Sequence, residues 1–110
     1  MRKVPFDQGA FEKALERLGD GADWIVLPDI VAGGLESLDF SLSWVDQVKP
    51  LAPILLPVQD GMGVDDVANL VGPDMGIFLG GTTDWKLSTM RVWGDLAART
   101  GAYFHVARVN

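Results

Sequence analysis

Residues that could bind a ligand recur along this chain, each placed directly after a short apolar run. They are Asp7, Asp29, Gln59, the pair Gly80-Gly81 and Arg108. A carboxylate accepts hydrogen bonds from ligand N–H groups, a glutamine amide donates and accepts, and paired glycines let a ligand approach the backbone. Their spacing of roughly twenty to thirty residues is typical of repeated strand–helix units. We therefore expect these residues to gather at one edge of a sheet.

Each of these residues also has a purely structural interpretation. Asp7 could act as a general acid or base, or it could cap a helix that begins at Gly9. Asp29 could be a partly desolvated acceptor for ligand N–H groups, or an ordinary loop aspartate. Gln59 suits the edge of a base or an amide, but a glutamine at a strand end is often structural. The residues alone leave these alternatives open.

Gly80-Gly81 precedes Thr82-Thr83, where a helix is predicted to begin, so free N–H groups there could hold a phosphate or a carbonyl oxygen. A phosphate loop is weakly supported, because there is no glycine-rich fingerprint and no lysine in the Walker position. We expect no metal and no cofactor. With one histidine and no cysteine, a His/Cys metal site is unsupported, although an all-carboxylate site stays open. His105 and the four tryptophans are expected to be core residues.

The apolar pattern predicts the elements that would position these residues. Continuous apolar runs of strand length cover 24–27, 53–58, 75–79 and 102–107, and the tail of a further strand covers 4–6. Apolar residues at helical spacing predict helices over about 11–18, 37–48, 64–71 and 84–99. Strands that are apolar throughout are typical of a parallel sheet that is covered on both faces.

The predicted order is therefore β-α-β-α-β-α-β-α-β, an α/β protein with parallel strands. Two architectures fit this order: an open doubly wound sheet, or a partial TIM-type (β/α)₈ barrel. A complete barrel takes about 250 residues, so the 110 residues of this chain make roughly half of one. We expect one domain of βα repeats over 1–110, as part of a larger barrel, with its site at the carboxyl ends of the strands.

Composition narrows the class of protein further. The net charge of −6 argues against avid, non-specific binding of nucleic acid, without excluding a local basic patch. No apolar run approaches the roughly 18 residues of a membrane span, and the first residues, Met1–Pro5, lack the apolar stretch of a signal peptide. The absence of cysteine is compatible with a cytoplasmic location, which we expect.

Five motifs at the strand ends occur in an order that is typical of one known family. They are Asp7-Gln8-Gly9-Ala10-Phe11, Leu27-Pro28-Asp29, Val58-Gln59-Asp60-Gly61, Leu79-Gly80-Gly81-Thr82 and His105-Val106-Ala107-Arg108-Val109-Asn110. Together they resemble the tRNA-guanine transglycosylase superfamily, over nearly the whole chain. The run from Gly80 to Leu87 and the last motif are most similar to its deazapurine DNA-modification branch, found in phages and bacterial islands.

The resemblance implies a (β/α)₈ barrel that exchanges a guanine in nucleic acid for a 7-deazaguanine base, through a covalent link between an aspartate and the sugar. Asp7 matches the catalytic aspartate and would act in acid–base chemistry. Asp29 would hold the amino and ring N–H groups of the base. Gln59 and the backbone N–H groups of Gly80-Gly81 would contact its carbonyl, and Arg108 is a predicted contact to nucleic acid.

Departures from the family pattern limit what this chain is expected to do. It stops at Asn110, before the strand that carries the family's nucleophilic aspartate, and it begins at the strand of Asp7. The cysteine-rich zinc motif is absent, and Gln8 and Asp60 replace smaller residues of the tRNA enzymes. The resemblance therefore implies part of a base-exchange transferase acting on DNA or tRNA, which binds a base without transglycosylation of its own.

Two other functions fit the residues. A half-barrel has open strand edges and bare apolar surface, so it could be a non-catalytic module that pairs with a second copy or a complementing chain. Alternatively, the chain could be a small α/β enzyme or binding protein that takes a phosphorylated metabolite at Gly80-Gly81-Thr82.

Overall fold

Strands and helices alternate along the part of the chain that the computed structural model describes, residues 24–108. The strands are β1 (Ile25–Val26), β2 (Ile54–Val58), β3 (Met75–Leu79) and β4 (Phe104–Val106). The helices are α1 (Leu35–Leu42), α2 (Val45–Val48), α3 (Val64–Val67) and α4 (Thr83–Thr100). The predicted strand at 4–6, the predicted helix at 11–18 and Asp7 lie outside the described residues.

The four strands form one curled parallel sheet in the order β1-β2-β3-β4. Right-handed crossovers between successive neighbours place the connecting helices on the same face of a sheet. The order of a doubly wound sheet reverses at a switch point, and this order does not. The predicted α/β class with parallel strands is therefore confirmed, and the described part of the chain is a half-barrel.

The core lies between the outer face of the sheet and the helices. Alternate strand residues, among them Ile25, Leu56 and Ile77, pack in one cluster with Trp93 and Leu96 of α4. Burial of one such side chain stabilises a fold by roughly 1.5–3 kcal/mol. This packing matters most for β1, because only two of its residues pair with β2.

Intervening strand residues point to the opposite, concave face, which no helix within 24–108 covers. The ring of Trp24, directly before β1, stacks on Tyr103, directly before β4, with centroids 4.6 Å apart. Because β1 and β4 lie at opposite ends of the four described strands, this contact reaches across the concave face and requires the sheet to curl. Gly76 lies in the same region, where a Cβ atom would be 2.6 Å from the Tyr103 carbonyl oxygen and 2.7 Å from Leu55 Cδ2.

The concave face corrects one of the predictions from sequence. Coverage of both faces of the strands was expected, and all five residues of β2 are buried, although among the described residues the helices pack against the outer face. His105 was expected in the core, whereas it is exposed on the concave face and stacks on Phe78 with ring centroids 5.3 Å apart. The alternation of side chains along β4 points Phe104 and Val106 toward the core and His105 away from it.

Helix bounds differ from the prediction where side chains compete for backbone groups. The predicted helix over 37–48 is two helices, with a break at Ser43 and Trp44, where Ser43 Oγ donates to the Phe40 carbonyl at 2.6 Å. The helix predicted over 84–99 is α4, which begins after Thr82 and ends at Gly101 with φ +75°. The helix predicted over 64–71 is regular only over Val64–Val67.

No helix within residues 24–108 combines the length and the apolar character that a membrane span needs.

Candidate functional site

An open cleft of about 540 Å³ lies at the carboxyl ends of β1, β2 and β3. It is lined by residues from the loops that follow these strands: Asp29, Val31, Ala32, Gln59, Asp60, Gly81 and Thr82. Three residues that the sequence predicted at a site, Asp29, Gln59 and Gly81, are thus brought together. The rule that parallel strands present their loops at one edge accounts for this grouping.

Asp29 presents a carboxylate to the cleft. Its Oδ2 accepts a hydrogen bond from Gln59 Nε2 at 3.3 Å, while the residue as a whole remains exposed. Neighbouring atoms partly desolvate the carboxyl group and raise its pKa above the ordinary 3.8, and the backbone N–H of Asp29 offsets this only in part. The result is an acceptor suited to ligand N–H groups.

Gln59 is 5% exposed, and both ends of its side-chain amide are paired. The amide oxygen accepts hydrogen bonds from the backbone N–H groups of Gly33 at 3.0 Å and Gly34 at 3.2 Å. The amide nitrogen faces three acceptors, which are Asp29 Oδ2, the Ile30 carbonyl at 3.1 Å and Ser37 Oγ at 3.2 Å. A contact between Gln59 and a base carbonyl, as predicted, would require part of this network to break.

Two buried serines of α1 support the same loop, and sequence reasoning missed both. Ser37 Oγ accepts from the Ile30 backbone N–H at 2.8 Å, and Ser41 Oγ donates to the Pro28 carbonyl at 2.6 Å. Neither serine is exposed to solvent. Residues four apart share one face of a helix, so serines at this spacing inside an amphipathic helix were a signal that could have identified them.

Asp60 connects the loop after β2 to the start of α4. Its Oδ1 accepts from the Thr82 backbone N–H, and its Oδ2 accepts from Thr82 Oγ1, both at 2.7 Å. Burial alone would raise the pKa of Asp60, but the two hydrogen bonds from Thr82 and one from its own backbone N–H outweigh burial and lower the pKa. The sequence indicated Asp60 only as a departure from a family pattern, and did not predict this role.

Glycine is required at position 81 by this arrangement. Gly81 has φ +87°, and a Cβ atom there would overlap Asp60 Oδ1 and approach Trp85 Cε3 at 3.0 Å. The backbone N–H groups of the predicted Gly80-Gly81 pair are not equivalent. Gly80 N–H donates to the Val58 carbonyl at 2.8 Å, whereas no described residue accepts from the Gly81 N–H. Gly81 is therefore the member of the pair that can donate to a ligand.

Arg108 follows β4 and is exposed, but it is not among the residues that line the cleft. Its carbonyl oxygen accepts a hydrogen bond from Lys86 Nζ at 2.5 Å. Lys86 lies near the start of α4 and is only 5% exposed. This buried lysine was not predicted as a site residue. It joins the start of α4 to the chain that follows β4.

A metal centre is not assembled by the described residues. Within 24–108, no group of three or more histidine and acidic side chains lies close enough together to hold an ion.

Comparison with protein-family models, with curated proteins and with solved structures finds no match to this chain. The resemblance found in the motifs therefore remains a prediction. The function has to be argued from the cleft itself.

Proposed function

We propose that this chain binds guanine or a 7-deazaguanine base, as the base-binding part of a transferase that replaces guanine in DNA or tRNA. The observation that carries the proposal is the cleft, where an exposed carboxylate, Asp29, and a backbone donor, Gly81 N–H, line the same space. The edge of a guanine-type base carries N–H donors next to a carbonyl oxygen. A carboxylate acceptor and an N–H donor are the complementary groups.

The size and the apolar walls of the cleft support this class of ligand. Its volume of about 540 Å³ falls within the range of roughly 300–1,000 Å³ that is typical of small-molecule sites. Val31 and Ala32 provide apolar surface beside Asp29, and the Val31 side chain is 46% exposed. A flat heterocycle can cover this surface while its polar edge reaches the carboxylate.

A phosphorylated ligand is less well supported by the same cleft. Phosphates commonly bind to the free backbone N–H groups at the N-terminus of a helix. In this chain a phosphate would therefore bind at the N-terminus of α4. Here the Thr82 N–H and hydroxyl already donate to the Asp60 carboxylate. A phosphate at that position would meet a negative charge and would lose the donors it needs.

The proposal also assigns roles to two residues, Asp7 and Arg108, beyond those that line the described cleft. Asp7 would supply acid–base chemistry and Arg108 would contact the nucleic acid. The complete fold would be a TIM-type (β/α)₈ barrel in the cytoplasm.

Calorimetric titration with guanine and with 7-cyano-7-deazaguanine tests the proposal. We expect micromolar binding by the wild-type chain, and at least a tenfold loss in Asp29→Asn, because the amide oxygen would accept from Gln59 and the amide NH₂ group would face the N–H donors of the base. Asp95→Asn, which changes an exposed aspartate of α4 in the same way, should bind like wild type. The proposal fails if the folded protein binds neither base, or if Asp29→Asn binds both as tightly as wild type.

The concave face favours association as a second function. Tyr103 and His105 are exposed there, and within residues 24–108 no strand pairs with the outer edge of β4. We propose that the half-barrel pairs with a second copy or a complementing chain through this edge. Light scattering on the purified chain should give at least twice the monomer mass, and a monomer at all concentrations would exclude self-association.

A further inference from the structure

The buried amide of Gln59 has a defined orientation within its network. Its oxygen faces two backbone N–H donors, Gly33 and Gly34, and its nitrogen faces three oxygen acceptors. Exchanging the oxygen and nitrogen would bring donors against donors and acceptors against acceptors. The hydrogen bonds therefore fix which end of the amide points to the loop backbone and which end points to Asp29.

Gln59 has no hydrogen-bonding capacity left for a ligand in this arrangement. An amide oxygen has two lone pairs, and both are used by Gly33 and Gly34. The amide nitrogen has two hydrogens for its three acceptors. A buried polar group left unpaired is destabilising, so turning Gln59 toward a ligand would leave the Gly33 and Gly34 N–H groups without their acceptor.

What the network holds in place is the ligand-facing part of the cleft. Gln59 Nε2 contacts Asp29 Oδ2, which leaves the other carboxylate oxygen for the cleft. The loop between Asp29 and Gly34 carries Val31 and Ala32, and Gln59 bonds to both of its ends. Ala32 in this loop has a left-handed φ of +58°, which is unfavourable for a residue with a Cβ atom, so the loop conformation depends on external support.

We infer that Gln59 is a positioning residue, which orients the Asp29 carboxylate and fixes the loop from Asp29 to Gly34 without contacting the ligand. The identity of the ligand rests on the proposed function, whereas the effect of Gln59 on Asp29 does not. Asp29 and Asp60 are the titratable side chains among the described residues that line the cleft. The state of Asp29 can therefore be followed in the protein without ligand.

The first test is an NMR titration of the aspartate carboxyl carbons in wild type, Gln59→Met and the control Gln47→Met. Gln47 is an exposed glutamine of α2. Loss of the hydrogen bond to the Asp29 carboxylate should raise the pKa of Asp29 in Gln59→Met and leave it unchanged in Gln47→Met, with Asp60 unaffected in both. An unchanged Asp29 titration in Gln59→Met overturns the inference. If Gln59→Met does not fold, Gln59→Asn serves instead, because the shorter side chain keeps a neutral amide but cannot reach the Asp29 carboxylate, and it should also raise the pKa of Asp29.

The second test compares guanine with 6-thioguanine, which keeps the amino and ring N–H donors but replaces the carbonyl oxygen with a weakly accepting sulfur. A positioning role predicts that Gln59→Met weakens the binding of both bases by the same factor, about tenfold. A direct contact to the carbonyl predicts a much smaller weakening with 6-thioguanine than with guanine, and this result would overturn the inference. If wild type binds neither base, the proposed function fails, and the titration of Asp29 alone decides the role of Gln59.

Discussion

Asp29 and Asp60 line one cleft, yet their surroundings shift their pKa values in opposite directions. Desolvation dominates at Asp29 and raises its pKa, whereas hydrogen bonds from Thr82 outweigh burial at Asp60 and lower it. The folded state holds the Asp29 proton more tightly than the unfolded chain does. The free energy of unfolding therefore falls as the pH rises above 3.8, the unfolded pKa, and through the raised pKa of the folded state. Asp60 has the opposite effect. Its ionised carboxylate stabilises the folded protein above pH 3.8, and this stabilisation is lost as the pH falls below 3.8 and through the lowered pKa.

Asp60→Asn should reveal this dependence on pH. An asparagine can accept from the Thr82 N–H but cannot accept from both Thr82 groups, so the variant should be less stable than wild type at neutral pH. The difference should shrink as the pH falls below 3.8, the unfolded value, and through the lower pKa at which the folded wild-type protein protonates Asp60. Urea denaturation at a series of pH values measures it, with Asp95→Asn as the control. A difference that stays constant with pH would show that the carboxylate charge is not what stabilises the start of α4.

Sequence reasoning at this scale identified positions better than roles. Asp29, Gln59 and Gly81 were predicted at one site because each follows a strand, and the cleft brings them together. The role of Gln59 was not predictable, because its partners depend on a loop in which Ala32 adopts an unusual left-handed φ. The hydrogen bonds between Asp60 and Thr82 were missed because they join two loops that are 22 residues apart in the sequence.

Among the secondary-structure elements, α4 is the helix whose bounds the sequence predicts best. Thr82 Oγ1 accepts from the Trp85 N–H at its start, and Gly101 provides the left-handed residue at its end. These signals are local, so the prediction over 84–99 was close to the observed Thr83–Thr100. Short elements were predicted less well. Only two residues of β1 pair with β2, and the pairing ends before Pro57, which has no N–H to donate.

Two glycine-to-alanine substitutions separate the start of α4 from its interior. Gly81→Ala should destabilise the protein by at least about 1–2 kcal/mol, because position 81 has a left-handed φ and the added Cβ atom would overlap Asp60 Oδ1. Gly94→Ala should stabilise it by about 0.5–1 kcal/mol, since a Cβ atom there would make only ordinary contacts with the Phe104 ring, at 3.6 Å from Cε2 and 3.9 Å from Cδ2. Urea denaturation compares the two, and a Gly81→Ala variant as stable as wild type would contradict the arrangement of this loop.

At the scale of the whole molecule, the curl of the sheet decides where the cleft can form. The predicted α/β class with parallel strands was confirmed over the described residues, and the monotonic strand order selects the half-barrel. Sequence patterns alone could not select it, because apolar strands occur in both architectures. The contact across the concave face was also unpredictable, since Trp24 and Tyr103 meet only when β1 and β4 approach each other.

The stacked pair provides a test of the curl. Trp24→Leu, Tyr103→Leu and the double variant form a double-mutant cycle, measured by urea denaturation. We expect a coupling energy of about 0.5–1.5 kcal/mol, as is typical of aromatic pairs in contact. Additive losses of stability would mean that the two rings do not meet and that the sheet is flatter than described.

The central claim is that the cleft at the strand ends binds a guanine-type base. The most direct measurement is a ¹H–¹⁵N NMR titration of the labelled chain with 7-cyano-7-deazaguanine, which locates the ligand residue by residue. We expect saturable shifts at Asp29, Ala32 and Gly81, with little change at the remote Gly94 and Asp95 of α4. Absence of shifts in the folded protein, or shifts confined to residues outside the cleft, would contradict it.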